Sequence, residues 1–290
     1  MVVLENKEWL DELEKVEWDW DFKECYGSIN EDSEISSFLK YKLGLLVDNH
    51  HSLKYTKQFG NKYIGRHGDC DKEAYPMYKS LNWQINFEDS IRGETMNSFT
   101  TTFHQAIMLS GNKNEVYEEI GINKNQFLNK QYEILLKGNN YKKFSSIEDN
   151  LKEFEKFAKL THTIGNFTVL PNWMNTGRGG SFTVLDYWDL TLKNLYEFLF
   201  PLGAWESFVN KYFLHSFLDK DLEPMEFLDE HFTGSVKIKE TYQLAQFLFR
   251  VNRSIEERGK FLKVKLDDKE TSKLPKSAEE LWNKENRLEN

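Results

Sequence analysis

The sequence predicts a mainly α fold (α+β): a multi-helix globular body with one small strand element around residues 163–171 and an amphipathic N-terminal helix. Apolar residues recur at three- and four-residue spacing in segment after segment, the signature of helices with one buried face. Only one run, Thr163 to Pro171, combines β-branched and aromatic residues between a Gly and a Pro in the manner of a strand. With 39% apolar residues and only 5 Pro and 16 Gly in 290, the chain has the composition of a folded protein rather than a disordered one.

The elements follow in order. Trp9, Leu13, Val16 and Trp20 share one stripe, so residues 5–16 read as an amphipathic helix. The alternation of rings and carboxylates in Trp18, Asp19, Trp20, Asp21 and Phe22 then suits an extended segment. Phe38, Leu39, Leu43 and Leu46 mark a second helix, and residues 55–80 lack a period and read as loop with room for short strands. Asp89 or Ser90 is placed to cap a helix carrying Met96, Phe99, Phe103, Ala106 and Ile107. Further helices are expected at 123–137 and from the capping box Ser145 and Glu148, with Ile147, Leu151, Phe154 and Phe157 or Ala158 as the buried stripe. After the 163–171 strand come a glycine-rich loop, a helix from Asp186 to Pro201, and helices at 205–218 and 241–260. Ser277 and Glu280 open a short terminal helix that is polar nearly all round.

Charge divides the chain unevenly. Residues 1–34 hold twelve acids against three bases, a net of -9, which equals the net of the whole chain. An acidic arm, 1–34, is thus joined to a balanced body, which divides into a helical region 35–140 with a loop or short-strand insert and a helical region 141–290 carrying the strand. Such a field favours a basic partner surface and repels phosphate backbones. Nucleic-acid binding is disfavoured further by a neutral body with seven arginines, because phosphate affinity comes largely from counterion release by Lys and Arg. No apolar run reaches the roughly 20 residues of a membrane helix. Two cysteines, Cys25 and Cys70, fit a reducing compartment, and the expected location is the cytoplasm of a bacterial host. The bias towards Lys and Asn suggests a bacterial or phage origin.

One segment carries a motif. His162-Thr163-Ile164-Gly165-Asn166-Phe167-Thr168-Val169-Leu170-Pro171, followed by Asn175, Arg178 and Asp186-Tyr187-Trp188-Asp189-Leu190, resembles an element of uncharacterised bacterial and phage proteins. It is also similar, over about thirty residues, to the HNH-like domain of GmrSD-type restriction enzymes. That resemblance implies a metal-dependent nuclease in which His162, Asn166 and Asn175 serve the site, a His activating water while a divalent ion stabilises the leaving oxygen. The upstream acid-His pair of that family has no close counterpart here, the nearest being Asp48-Asn49-His50-His51. Read from the residues alone, the same segment is structural: Gly165 permits a tight backbone, Asn166 bonds main chain, and Ile164, Phe167, Val169 and Leu170 are core.

Other candidates are weaker. Arg66-His67-Gly68-Asp69-Cys70-Asp71 contains metal-ligand types without a second ligand pair, and reads as a turn. Arg92, Glu94, Asn97 and His104 form a polar line beside a core stripe, read as a solvated edge; His215 and His231 read as packed. There is no P-loop and no nucleophile elbow.

These features favour a non-enzymatic, inhibitor-like interaction protein. Trp9, Leu13, Trp18 and Trp20 would anchor, and Glu12, Glu17, Asp19 and Asp21 would meet, a basic surface on a protein partner such as a defence nuclease. The rings need burial, either on this chain's own core or on another chain, and self-association is a further expectation. No cofactor and no metal are expected; a divalent metal enters only with the nuclease alternative.

Overall fold

The computed structural model describes residues 17–19, 75–83, 91–97, 99, 102, 106, 109, 144–171, 188–227, 238, 240–267 and 274–282. Helix dominates these residues. The elements are α1 (Tyr75–Ser80), β1 (Ile91–Thr95), α2 (Ser145–Glu148), α3 (Leu151–Leu160), β2 (Phe167–Pro171), α4 (Trp188–Leu199), α5 (Trp205–Tyr212), α6 (Thr241–Leu266) and α7 (Ala278–Trp282). Short 3-10 turns lie at Ile164–Asn166, Phe200–Leu202 and His215–Phe217.

The 26-residue α6 is the organising element, packed against α3, α7 and the 3-10 turns at Ile164–Asn166 and His215–Phe217. Its Leu244, Phe247, Leu248, Val251, Ile255 and Leu262 are buried at helical spacing, and the Glu240 N–H donates to Gln243 Oε1 at 3.1 Å to cap its first turn. Asn252 Nδ2 donates to the Glu153 carbonyl (3.1 Å) and carboxylate (3.0 Å), fixing α6 on α3. A relay of rings runs from Phe99 through Phe157, Phe247 and Phe227 to Trp282, with neighbouring centroids 5.2–6.3 Å apart, so aromatic packing links Phe99 through α3 and α6 to α7.

Several sequence expectations change. The helix drawn from Asp89 begins later: residues Ile91–Thr95 form β1, paired antiparallel with β2 in the register Ile91↔Pro171 to Thr95↔Phe167, and the chain is helical at Phe99, Thr102 and Ala106. Long-range pairing with Phe167–Pro171 overrides the local helical spacing, and this ladder joins the 35–140 and 141–290 regions. The strand expected from Thr163 starts only at Phe167, after the 3-10 turn. Within the supposed loop 55–80, Tyr75–Ser80 is helical: Pro76 stands in the first turn, where its missing N–H costs nothing, and Met77 and Tyr78 are buried. The Ser145 capping box is not made; Phe144 takes the N-cap position without a side-chain bond, and Ser146 Oγ donates to the Ala106 carbonyl at 2.7 Å.

Downstream, the helix expected over 205–218 ends at Tyr212, where Phe213 turns left-handed (φ 53°). The terminal helix is not polar all round. Ser277 and Glu280 do cap it, the Glu280 N–H donating to Ser277 Oγ at 3.3 Å, but Ala278, Leu281 and Trp282 are buried and Trp282 Nε1 donates to Ser254 Oγ of α6 at 3.1 Å.

Candidate functional site

The His162–Leu170 segment meets α6 through the 3-10 turn Ile164–Asn166 that precedes β2. Thr161 and Thr163 close the end of α3, their hydroxyls donating to the carbonyls of Phe157 (2.7 Å) and Leu160 (2.8 Å). The chain then turns at Ile164–Asn166 so tightly against α6 that a Cβ on Gly165 would stand 2.1 Å from the Ile255 carbonyl oxygen. No side chain fits there, which is the physical reason for glycine. On α6 the facing residue is Gly259, and two glycines permit this backbone approach.

Asn166 is fully buried and its amide is engaged within the chain. Nδ2 donates to the carbonyls of Thr161 (2.7 Å) and Asn97 (3.0 Å), while Oδ1 accepts from the Asn97 N–H at 3.3 Å. The Asn166 carbonyl accepts from the Met96 N–H at 3.0 Å, continuing the β1–β2 ladder past its end. Asn97, expected on a solvated edge, is instead fully buried. Residues Ile91–Thr95 are strand rather than helix, and just past its end Asn97 faces the turn.

Beneath the turn lies Arg258, fully buried on the apolar face of α6. Nη1 donates to the carbonyls of Gly165 (2.8 Å) and Phe167 (2.5 Å), Nη2 to that of Tyr212 (2.8 Å), and Nε to that of Phe213 (3.1 Å). The Trp83 ring faces the guanidinium with its centroid 5.4 Å away, and Trp83 Nε1 donates to the Lys211 carbonyl at 3.1 Å. Burial pushes the guanidinium down to about 9, so it stays cationic at neutral pH. One side chain thereby joins the turn, β2 and the end of α5 to α6. Sequence reasoning missed it, although an arginine three residues after Ile255 and four before Leu262 on an apolar stripe is a visible signal.

Of the residues named from sequence, His162 is half-buried at the head of this turn, Asn166 is directed into it, and Asn175 lies outside the described residues. The Asn166 amide meets Asn97 and Thr161 within the fold. Among the described residues no group of three or more His, Cys, Asp or Glu could hold a metal ion. The Asp48–His51 and Arg66–Asp71 clusters, Asp186 and His231 also lie outside the described residues.

The arm is described only at Glu17–Asp19. Trp18 is half-buried against α6: its Cε3 would stand 3.2 Å from a Cβ on Gly259, and the Lys260 ammonium is 5.0 Å from the ring centroid. Glu17 and Asp19 on either side are exposed. Trp9, Glu12, Leu13, Trp20 and Asp21 lie outside the described residues.

No family model, curated protein or solved structure matches the chain. Among the described residues no helix is long and apolar enough to cross a membrane.

Proposed function

We propose that this protein is a non-enzymatic, inhibitor-like interaction protein of bacterial or phage origin, acting in the host cytoplasm, whose helical body carries an acidic arm that captures a basic surface on a partner protein. The observation that carries this reading is the confinement of the chain's net -9 to residues 1–34. The geometry at Trp18 supports it: the indole rests on α6 under Lys260 while Glu17 and Asp19 face solvent, which gives the arm a fixed root and leaves those two carboxylates accessible. The engagement of Asn166 and of the Gly165 and Phe167 carbonyls inside the fold supports a structural role for the motif over the nuclease alternative.

The arm is tested in the full chain by neutralising four acids, E12Q/E17Q/D19N/D21N. Immobilised wild type is expected to retain a basic protein from bacterial lysate that the variant releases at the same salt concentration, and equal capture by both refutes the arm. Purified protein is expected to leave plasmid and RNA intact with Mg²⁺ or Mn²⁺; cleavage that His162→Ala abolishes would establish the nuclease instead.

A further inference from the structure

A cleft of about 610 Å³ opens beside α5, the His215–Phe217 turn and α7. Four carboxylates line it, those of Glu206, Asp219, Glu279 and Glu280, with one lysine, Lys220, and the exposed apolar side chain of Leu274. Two of the acids are held rigidly. Asp219 Oδ1 accepts the N–H groups of Asp221 and Glu223, both at 2.8 Å, and Glu280 Oε2 accepts that of Ser277 at 3.0 Å. Glu206 and Glu279 have no ion-pair or side-chain hydrogen-bond partner among the described residues. The cleft therefore carries negative charge that the described fold leaves uncompensated.

A second observation is independent of the acids. His215 forms part of the wall, is only 6% exposed, and its Nδ1 has no hydrogen-bond partner among the described residues. A buried polar side chain that makes no hydrogen bond of its own is uncommon in a folded protein and, in the wall of a cleft, points to a ligand there. Burial holds the imidazole below its ordinary pKa, so it is neutral and keeps a lone pair for a donor.

We propose that this cleft receives the guanidinium or ammonium group of an arginine or lysine side chain on a partner polypeptide, with the partner's adjoining apolar surface lying on Leu274. Charge complementarity selects the occupant: carboxylates on several sides suit a multi-donor cation, and a guanidinium can donate to two of them at once. An apolar wall beside the acids suits a side chain with a hydrocarbon stem better than a bare ion. The site goes beyond capture by the arm, using residues of the body only.

The probe is a fluorescein-labelled Ala-Leu-Arg-Leu-Ala peptide, compared with its citrulline analogue, which has the same shape and no charge. On the full chain, the arginine peptide is expected to bind at least about tenfold tighter than the citrulline peptide, read by fluorescence anisotropy. The E206Q/E279Q variant removes that preference while its Tm stays within about 3 °C of wild type. Should that pair melt earlier, the same comparison is read on Glu206→Gln alone, an exposed position, with a partial loss expected. The variant E12Q/E17Q/D19N/D21N keeps the full preference, so failure of the arm and failure of the cleft are told apart. Equal binding of the two peptides, a preference that survives both Gln variants, or its loss in the arm variant overturns the assignment. Binding of spermidine as tight as that of the arginine peptide also overturns it, assigning the cleft to a free polyamine.

Discussion

Around Arg258, main-chain carbonyls and the amide of Asn166 meet donors and acceptors from within the chain, whereas beside His215 two carboxylates and an imidazole nitrogen stand without partners among the described residues. Both places are rich in polar atoms, and polarity alone does not separate them. The difference lies in whether the fold itself completes the bonding. Where it does, as at the Gly165 turn, the polar groups specify one packing of β2 and α5 on α6. Where it does not, the groups remain free to meet something else. The motif that most resembles a catalytic element belongs to the first kind, and an unremarkable stretch around His215 belongs to the second.

The largest test of this contrast is Arg258→Met, which keeps much of the side-chain volume and removes every donor. The carbonyls of Gly165, Phe167 and Tyr212 are then left buried without the guanidinium, and unfolding stability is expected to fall by about 3–5 kcal/mol. Urea denaturation checks it through a lower midpoint at unchanged slope. A fall below about 1 kcal/mol would mean the carbonyls find other partners, and the contrast with the cleft would dissolve.

A smaller loss, about 2–3 kcal/mol, is expected for Asn166→Asp, because Nδ2 donates to the Thr161 and Asn97 carbonyls and a carboxylate would confront those same acceptors. The same substitution sharpens the comparison in a second way, since a carboxylate improves a metal ligand. Stability of N166D is expected to be indifferent to added Mn²⁺, measured by thermal unfolding; recovery with metal would move the motif into the class of incomplete, ligand-seeking sites.

How much of this was legible in the sequence follows the range of the interactions involved. The α3 and α6 stripes could be read because Phe154, Phe157, Ile255 and their neighbours recur at helical spacing, a local property. So could the structural reading of Gly165 and Asn166, since glycine and asparagine in a turn have local physical reasons. By contrast, β1 was hidden because its strand character comes from pairing with Phe167–Pro171, far along the chain, and the burial of Asn97 follows from that pairing. The burial of α7 was hidden for the same reason: Trp282 meets Ser254 across 28 residues. The cleft is likewise assembled from α5, the His215 turn and α7, segments whose proximity no local pattern encodes.

The smallest effect concerns the point where arm and body meet. Gly259 lies inside α6, and replacing an interior helical glycine by alanine ordinarily gains up to about 1 kcal/mol. Here the added Cβ would come within 3.2 Å of Trp18 Cε3, closer than comfortable packing, so the indole must shift and give up part of its contact with α6 and Lys260. Gly165 Cα, at 3.7 Å, offers ordinary contact and no obstacle. Gly259→Ala alone is therefore expected to be neutral or to cost about 0.5 kcal/mol, and in a Trp18→Ala background to stabilise by about 0.5–1 kcal/mol, a change of sign that a double-mutant cycle detects. The cycle asks whether the arm's root belongs with the completed contacts of the body. If alanine stabilises equally with and without the indole, Trp18 does not rest on Gly259 in solution, and the fixed root from which the acidic arm extends is lost along with the orientation it gives to Glu17 and Asp19.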